Sequence, residues 1–239
     1  MWRKNRNHGH GDYPVDNTMA DEMAKFMLEE EATVKLFVVF LIDQSAGMEG
    51  PGMAAVNTAM GELIPELAMF SADDPKIAEA LRLMDEDKPF EVLLSVMGFS
   101  WLCTWVAQHA NPKDFVWPGL AADSDACEFR SAFSILKEAM AAGKLSYLRG
   151  QSKYLAPIIV LITQGKHDGD FADSLEKLYE YDLFSHSLRY ALPLGEDADT
   201  DALAAFTGSA ERVCAPIKDG NSLKNALHEI CADVRVIVT

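Results

Sequence analysis

The apolar run at residues 36–42 constrains the fold of this chain more than any other segment. It reads Leu-Phe-Val-Val-Phe-Leu-Ile, without polar alternation, and it ends abruptly at Asp43. A strand rich in β-branched and aromatic residues with no alternation is buried on both faces, as central strands of parallel sheets are. Ligands of open α/β sheets bind at the carboxyl ends of such strands, so we expect Asp43 and Ser45 to share the mouth of a site.

The rest of the chain alternates between apolar runs and helical periodicity. Further strands are predicted at residues 91–99, 157–163, 186–194, 211–217 and 234–239, with an antiparallel edge strand at 101–106. Helices are predicted from about Pro51 to Leu67 and at residues 127–142, 171–184, 199–206 and 222–232. Strands and helices that alternate at this spacing predict a doubly wound α/β fold, with a mostly parallel central sheet flanked by helices.

The chain divides into a short N-terminal part and one large domain. Residues 1–33 are predicted to form a polar arm and a short helix with a methionine-rich face, and residues 34–239 the α/β domain. We expect the methionine face to pack on the domain, with partner binding as the alternative. The acidic segment 71–88 is predicted to be a surface excursion between the first helix and the second strand.

The charge balance narrows the classes of partner. The chain of 239 residues has 21 Lys and Arg against 37 Asp and Glu, a formal net charge of -16. Nucleic acids and anionic membranes are bound through basic side chains, so we expect neither as a partner and favour a protein with a basic surface. No apolar run reaches the roughly 18–20 residues that cross a bilayer. The four cysteines form no C-x-x-C pair, which indicates reduced thiols and a cytoplasmic protein.

Sequence motifs for catalysis are missing. The sequence contains no G-x-G-x-x-G, Walker A, G-x-S-x-G or H-E-x-x-H motif, so nucleotide-dependent, hydrolase and metalloprotease chemistry lack a signal. Cys127 lies near a predicted helix start, where a thiol pKa can be lowered. No histidine is paired with it by the sequence, although His109 and His167 stay open as partners. We predict that the protein is not an enzyme, with a small-molecule or enzyme site at the strand ends as a further hypothesis.

Three segments carry a resemblance to a known family. They are residues 40–57, residues 157–165, which read Pro-Ile-Ile-Val-Leu-Ile-Thr-Gln-Gly, and residues 195–226. Their order resembles the von Willebrand factor A (VWA) domains over about residues 35–233, and within that family the bacterial tellurite-resistance TerY-type proteins. The turn and helix Gly-x-Pro-x-x-Ala-Val-Asn of that branch occur here as Gly50-Pro-Gly-Met-Ala-Ala-Val-Asn, with the proline displaced by one position.

The resemblance implies a metal-ion-dependent adhesion site. That site uses Asp-x-Ser-x-Ser after the first strand, a Thr in a middle loop and an Asp after the fourth strand. In this chain Asp43 and Ser45 match, whereas Gly47, Cys127 and Gln164 stand at or nearest the other three positions. Hard divalent cations prefer oxygen ligands and carboxylate charge, which Gly, Cys and Gln do not supply.

We therefore predict a degenerate metal site and no cofactor. In that interpretation Asp43 and Ser45 order the loop through hydrogen bonds. The alternative is a genuine Mg²⁺- or Mn²⁺-dependent VWA domain, in which an acidic or hydroxyl group of the loops at 123–125 or at Asp168 rebuilds the site and binds the metal weakly.

The function implied by the resemblance is a non-enzymatic protein–protein interaction module. Its setting would be a bacterial stress or tellurite-resistance system, or a phosphorylation cassette with a kinase and a phosphatase. We expect the interaction surface at the loops 44–50, 121–127 and 164–170. The residues predicted to contact a partner are Gln44, Met48, Asp123, Ser124, Asp125, Lys166, His167 and Asp168.

Overall fold

A computed structural model describes residues 34–70, 90–124, 126–141, 156–165 and 170–237 of the chain. The predictions for residues 1–33 and for the excursion at 71–88 lie outside these ranges. The described strands are β1 (Val34–Asp43), β2 (Phe90–Phe99), β3 (Cys103–Ala110), β4 (Ile158–Thr163) and β5 (Leu188–Pro193). The described helices are α1 (Pro51–Leu67), α2 (Phe129–Ala141), α3 (Phe171–Tyr179), α4 (Asp182–Ser185), α5 (Thr200–Thr207) and α6 (Gly220–Ile237).

The five strands form one sheet in the order β3-β2-β1-β4-β5. β1 pairs in parallel with β2, where Asp43 is opposite Phe99, and with β4, where Ile42 is opposite Ile162. β4 and β5 are also parallel, whereas β3 pairs antiparallel with β2 at the edge. The ends of β1, β2, β4 and β5, with the loops that follow them, therefore lie together. We call this region the carboxyl edge.

β1 is the centre of the core, as its apolar run predicts. All ten of its residues are buried. Alternate side chains face opposite sides of the sheet, so Val38 and Phe40 join the cluster formed with α1 and α6, and Phe37 and Val39 join the cluster formed with α2 and α3. This is the doubly wound, mostly parallel arrangement that the sequence predicts.

Local sequence explains where α1 begins and where α5 begins and ends. Pro51 stands in the first turn of α1, where its missing N–H costs no intrahelical bond. The Asp199 side chain caps α5 by accepting from the backbone N–H groups of Asp201 and Ala202. Gly208 ends α5 in the left-handed conformation, with φ of 73°.

Three predicted elements differ from the structure. The helix predicted at 171–184 is two helices, α3 and α4, because Tyr181 has extended backbone angles. The strand predicted at 211–217 is wrong: a 3-10 turn, Ala210–Arg212, leads into two isolated bridges, one to Ala191 of β5 and one to Leu194 just after it. Pro216 lies in that segment, and a proline cannot donate to a strand ladder. The strand predicted at 234–239 is also wrong, because α6 continues to Ile237.

The other boundaries shift by a few residues. The predicted edge strand is β3, which begins at Cys103 and runs to Ala110. Among the cysteines whose side chains are described, Cys103, Cys127 and Cys214 form no disulfide and are half-buried. No helix in the described ranges has the length and apolar composition needed to cross a membrane.

Candidate functional site at the carboxyl edge

Asp43 is the last residue of β1 and is almost completely buried, with 1% of its surface exposed. Its Oδ1 accepts from the backbone N–H of Ser45 at 2.8 Å. Its Oδ2 accepts from the Thr163 hydroxyl at 2.7 Å and from the backbone N–H of Gln164 at 3.4 Å. Both carboxylate oxygens are thus engaged, and the side chain joins the end of β1 to the end of β4.

Thr163, which the sequence reasoning did not single out, is the second half of this link. It is the last residue of β4, is fully buried, and its hydroxyl oxygen also accepts from the backbone N–H of Gly165 at 2.9 Å. Gly165 has φ of 71°, and a Cβ there would lie 2.7 Å from Cβ of Ala198. A hydroxyl at the end of an otherwise apolar strand, two residues before a glycine, is the signal that could have identified it.

The side chain of Gln164 fills the space that a side chain at position 47 would need. The Gln164 Nε2 donates to the carbonyl oxygen of Gly47. A Cβ added at Gly47 would overlap the side-chain amide of Gln164, including its Cδ at 2.8 Å. The loop after β1 and the loop after β4 therefore meet through a side chain on one side and the absence of a side chain on the other.

Gln44 links the carboxyl edge towards β2. Its Nε2 donates to the carbonyl oxygen of Ala121 at 2.7 Å. Its backbone N–H donates to the carbonyl oxygen of Phe99 at 2.7 Å. Its own carbonyl oxygen accepts from the backbone N–H of Asp123 at 2.9 Å. A Cβ on Gly98 would lie 2.8 Å from Cδ of Gln44, so that glycine makes room for the side chain.

The loop at residues 121–127, which we call the middle loop, contacts the loop after β1, which we call the first loop, through Ser124. Ser124 forms a parallel bridge with Ser45, and its carbonyl oxygen accepts from the backbone N–H of Ala46 at 2.6 Å. The Ser124 hydroxyl accepts from the backbone N–H of Ala126 at 3.2 Å. Cys127 packs against the apolar cluster shared with α2 and α3. Ser124, rather than Cys127, is thus the middle-loop residue that lies beside Ser45.

The predicted site residues fall into three groups: those at the carboxyl edge, one that is buried in the core, and those outside the described ranges. The structure brings Asp43, Ser45, Gly47 and Gln164 together at the carboxyl edge, and it leaves Asp123 exposed there. The expectation that Met48 contacts a partner is corrected, because its side chain is fully buried in the cluster formed with α1. The other predicted contact residues, Asp125, Lys166, His167 and Asp168, lie outside the described ranges.

Two pairs of oppositely charged side chains lie in this region. Arg130 of α2 is 2.8 Å from Asp170, and Lys218 is 2.8 Å from Glu196. The hydrogen bond from Lys218 lowers the pKa of Glu196 and raises the pKa of Lys218. Within the described part of the chain, no group of three or more His, Cys, Asp or Glu residues is placed to hold a metal ion.

Solved structures share this arrangement of strands and helices. A von Willebrand factor type A protein from Catenulispora acidiphila superposes with a TM-score of 0.57 at 14% identity, over 83% of this chain. The ArnB paralog VWA2 from Sulfolobus acidocaldarius gives 0.56 at 16% identity, over 82% of this chain. This chain has the VWA fold.

The VWA fold is also present in a third solved structure, proximal thread matrix protein 1 from the mussel byssus. That protein, described with a zinc-occupied MIDAS motif, superposes with a TM-score of 0.56 at 13% identity over 83% of this chain. This chain spans less than half the length of the three solved structures, 42%, 45% and 48% in turn. No protein-family model and no curated protein matches the sequence.

Proposed function

We propose that this VWA domain is a non-enzymatic protein–protein interaction module that binds its partner through the carboxyl edge without a metal ion. The observation that carries the proposal is the pairing of Gly47 with Gln164. The Gln164 amide donates to the Gly47 carbonyl oxygen and fills the space of a side chain at that position. A VWA metal site would need a serine at position 47 and a carboxylate at position 164.

The donor set at this edge does not fit a hard divalent cation. Mg²⁺ and Mn²⁺ select oxygen ligands with carboxylate charge. Asp43 is the only carboxylate among the five family positions, and both of its oxygens accept hydrogen bonds from the protein. Gln164 is neutral, and its amide is already used by the Gly47 carbonyl group. These contacts support the prediction that hydrogen bonds of side chains, rather than a metal ion, connect the loops.

Those ties would prepare the edge for binding. Asp43 and Thr163 join the ends of β1 and β4, while Gln44 joins the first loop to the middle loop at Ala121. Loops that are held in place before association lose less conformational entropy on binding. A metal-free edge of this kind would bind with the same affinity whether or not divalent cations are present.

The charge of the chain supports a basic protein partner. The formal net charge is -16, and exposed carboxylates at the carboxyl edge include Glu49 and Asp123. Complementary charge speeds association and selects among partners. The resemblance of residues 40–57 to TerY-type proteins supports a place in a bacterial stress or tellurite-resistance system, and the scattered cysteines, with no C-x-x-C pair, support the cytoplasm as its location.

Selection from a display library of protein fragments encoded by the source organism tests this function. The selection is run in parallel in EDTA and in millimolar Mg²⁺, followed by affinity measurements on the recovered fragments. We expect the same fragments, with equal affinities, in both buffers. Fragments that bind only with Mg²⁺ would show a rebuilt metal site. Absence of any enriched fragment would argue against a binding module.

A further inference from the structure

We propose that the turn between β2 and β3 is the anchor of the partner interface, and that its occupant is a basic protein segment with an apolar side of its own. We call residues 100–102 the hairpin tip. Trp101 and Leu102 supply the apolar contact, and Asp123 beside them supplies negative charge. This inference rests on the proposed function, because it names the surface and the partner chemistry of the same module.

The hairpin tip exposes two large apolar side chains next to each other. Trp101 is 61% exposed and Leu102 is 68% exposed. In the described ranges the other large hydrophobic residues with such exposure are Met69 and Val116, which lie on separate segments. Single exposed apolar residues are ordinary, whereas tryptophan is enriched in binding hot spots.

The backbone of the hairpin tip is held in place. The Ser100 backbone N–H donates to the carbonyl oxygen of Leu102 at 3.0 Å, and the Ser100 carbonyl oxygen accepts from the N–H of Glu128 at 3.0 Å. The buried Ser100 hydroxyl donates to Oδ1 of Asp123 at 2.6 Å. The two apolar side chains therefore project from a fixed turn, which lowers the entropy lost when a partner covers them.

The hairpin tip is continuous with the rest of the carboxyl edge. It follows Phe99, which is opposite Asp43 in the sheet register and accepts from the backbone N–H of Gln44. The Ser100–Asp123 bond joins it to the middle loop. One partner surface can thus contact the tip and the loop after β1 together.

Charge decides which occupant fits. Asp123 is exposed and negatively charged, Glu128 is half-buried close by, and the whole chain has a net charge of -16. A second copy of this chain would have the same charge, and an anionic lipid surface is negative too, so both are repelled. A segment with Lys or Arg beside apolar residues complements the charge and the Trp101–Leu102 pair at once.

A random peptide library displayed on phage is the probe for this surface. Peptides are selected on the full chain and then measured against Trp101→Ser, Leu102→Ser and Asp123→Asn. Met69→Ser is the matched control, because Met69 is an exposed apolar residue after α1, near the start of β2 at the other end of the strand. Thermal unfolding of each variant confirms that it folds.

We expect the selected peptides to combine Lys or Arg with apolar residues. Trp101→Ser should weaken their binding at least about tenfold, as loss of an interface tryptophan does. Met69→Ser should leave it unchanged, and Asp123→Asn, which keeps an acceptor for Ser100, should reduce its salt dependence.

Equal binding of the peptides to wild type and to Trp101→Ser would overturn the inference. If those peptides still bind and compete with the organism's own fragments, the interaction module stands and only the hairpin tip is lost. If no peptide and no fragment is enriched, the proposed function fails with it. Sedimentation of the full chain gives a separate check: a dimer that dissociates in Trp101→Ser would assign the tip to a second copy and contradict a basic partner.

Discussion

The side-chain amide of Gln164 lies in the space that a side chain at Gly47 would need, and it donates to the carbonyl oxygen of that same glycine. The two residues therefore depend on each other. A larger residue at position 47 would displace the amide, and a shorter one at position 164 would leave the carbonyl group without this donor. Together they connect the loops after β1 and β4, beside the Asp43–Thr163 link.

A double-mutant cycle measures this dependence. Gly47→Ala displaces the amide of Gln164, which is the far end of a flexible side chain, so it should destabilise the fold by no more than about 1 kcal/mol. In a Gln164→Ala background the same change should cost nothing, which gives a coupling energy near the lower end of the range of about 0.5–3 kcal/mol seen for contacting residues. Chemical denaturation of the four proteins provides the values.

Gly61→Ala is the matched control for the glycine substitution. Gly61 is an exposed position of α1, where an added Cβ meets nothing within 4 Å. An alanine in a helix is favoured over glycine by about 1 kcal/mol, so this variant should be more stable than wild type. Equal effects of Gly47→Ala in both backgrounds would show that the two residues are independent.

Thr163→Val tests the link between β1 and β4. The substitution keeps the β-branched shape but removes the hydroxyl that donates to Asp43 and accepts from Gly165. Loss of a hydrogen-bond donor to the buried Asp43 carboxylate should lower the free energy of unfolding by about 1–3 kcal/mol. Thr58→Val is the control, since the Thr58 hydroxyl donates to the Ala54 carbonyl oxygen on an exposed helix face. Denaturation midpoints that shift alike in the two variants would contradict a special role for Thr163.

Arg189 is predicted to stabilise the packing of α3 and α5 against β5. It is buried in β5, its Nε donates to the Phe206 carbonyl oxygen at 2.8 Å, and its Nη2 donates to the Tyr179 hydroxyl at 3.1 Å. Burial lowers the pKa of its guanidinium from the ordinary value. Arg189→Met removes the donor to the Phe206 carbonyl oxygen and to the Tyr179 hydroxyl, and should cost about 2–4 kcal/mol in denaturation experiments. A loss no larger than that of Arg212→Met would contradict this role.

Cys103 gives a pH-dependent prediction. Burial, and then the negative charge of Glu128, raise the pKa of the Cys103 thiol to about 12. The unfolded chain ionises near the ordinary value of 9.0, so it releases a proton that the folded chain keeps. Stability from this group is complete below pH 9 and is lost as the pH rises towards about 12.

Alkylation rates measure the same effect directly. At pH 9 the Cys103 thiol should react with iodoacetamide much more slowly in the folded protein than in urea, because the thiolate is the reactive form. Peptide mapping by mass spectrometry follows Cys103 separately from the other cysteines. Similar rates in the folded and unfolded protein would show that its pKa is not raised.

The sequence predicted the parts of the fold that depend on local pattern. The unalternated run of β1 predicted a strand buried on both faces, and Pro51 predicted the start of α1; both are confirmed. The strand predicted at 234–239 was wrong because apolar β-branched residues followed a helix that was already formed, and extending a helix costs less than starting another element.

The site was predictable as a set of positions but not as a set of contacts. Asp43, Ser45 and Gln164 could be placed at one edge because parallel strands end together. That Gly47 makes room for Gln164 is a tertiary relationship between residues far apart in the chain, and no periodicity encodes it. Met48 was expected at the surface with its loop, yet the short turn directs its side chain into the core.

Thermal unfolding in EDTA and across a series of Mn²⁺ concentrations tests the central claim most directly. Wild type is measured beside the double variant Gly47→Ser/Gln164→Asp, which returns an oxygen and a carboxylate to the edge. We expect an unchanged midpoint for wild type and a midpoint that rises with Mn²⁺ for the double variant. A cation at a hundred times its dissociation constant adds about 2.7 kcal/mol. A wild-type midpoint that rises with Mn²⁺, and no longer does so in Asp43→Ala, would contradict a metal-free site.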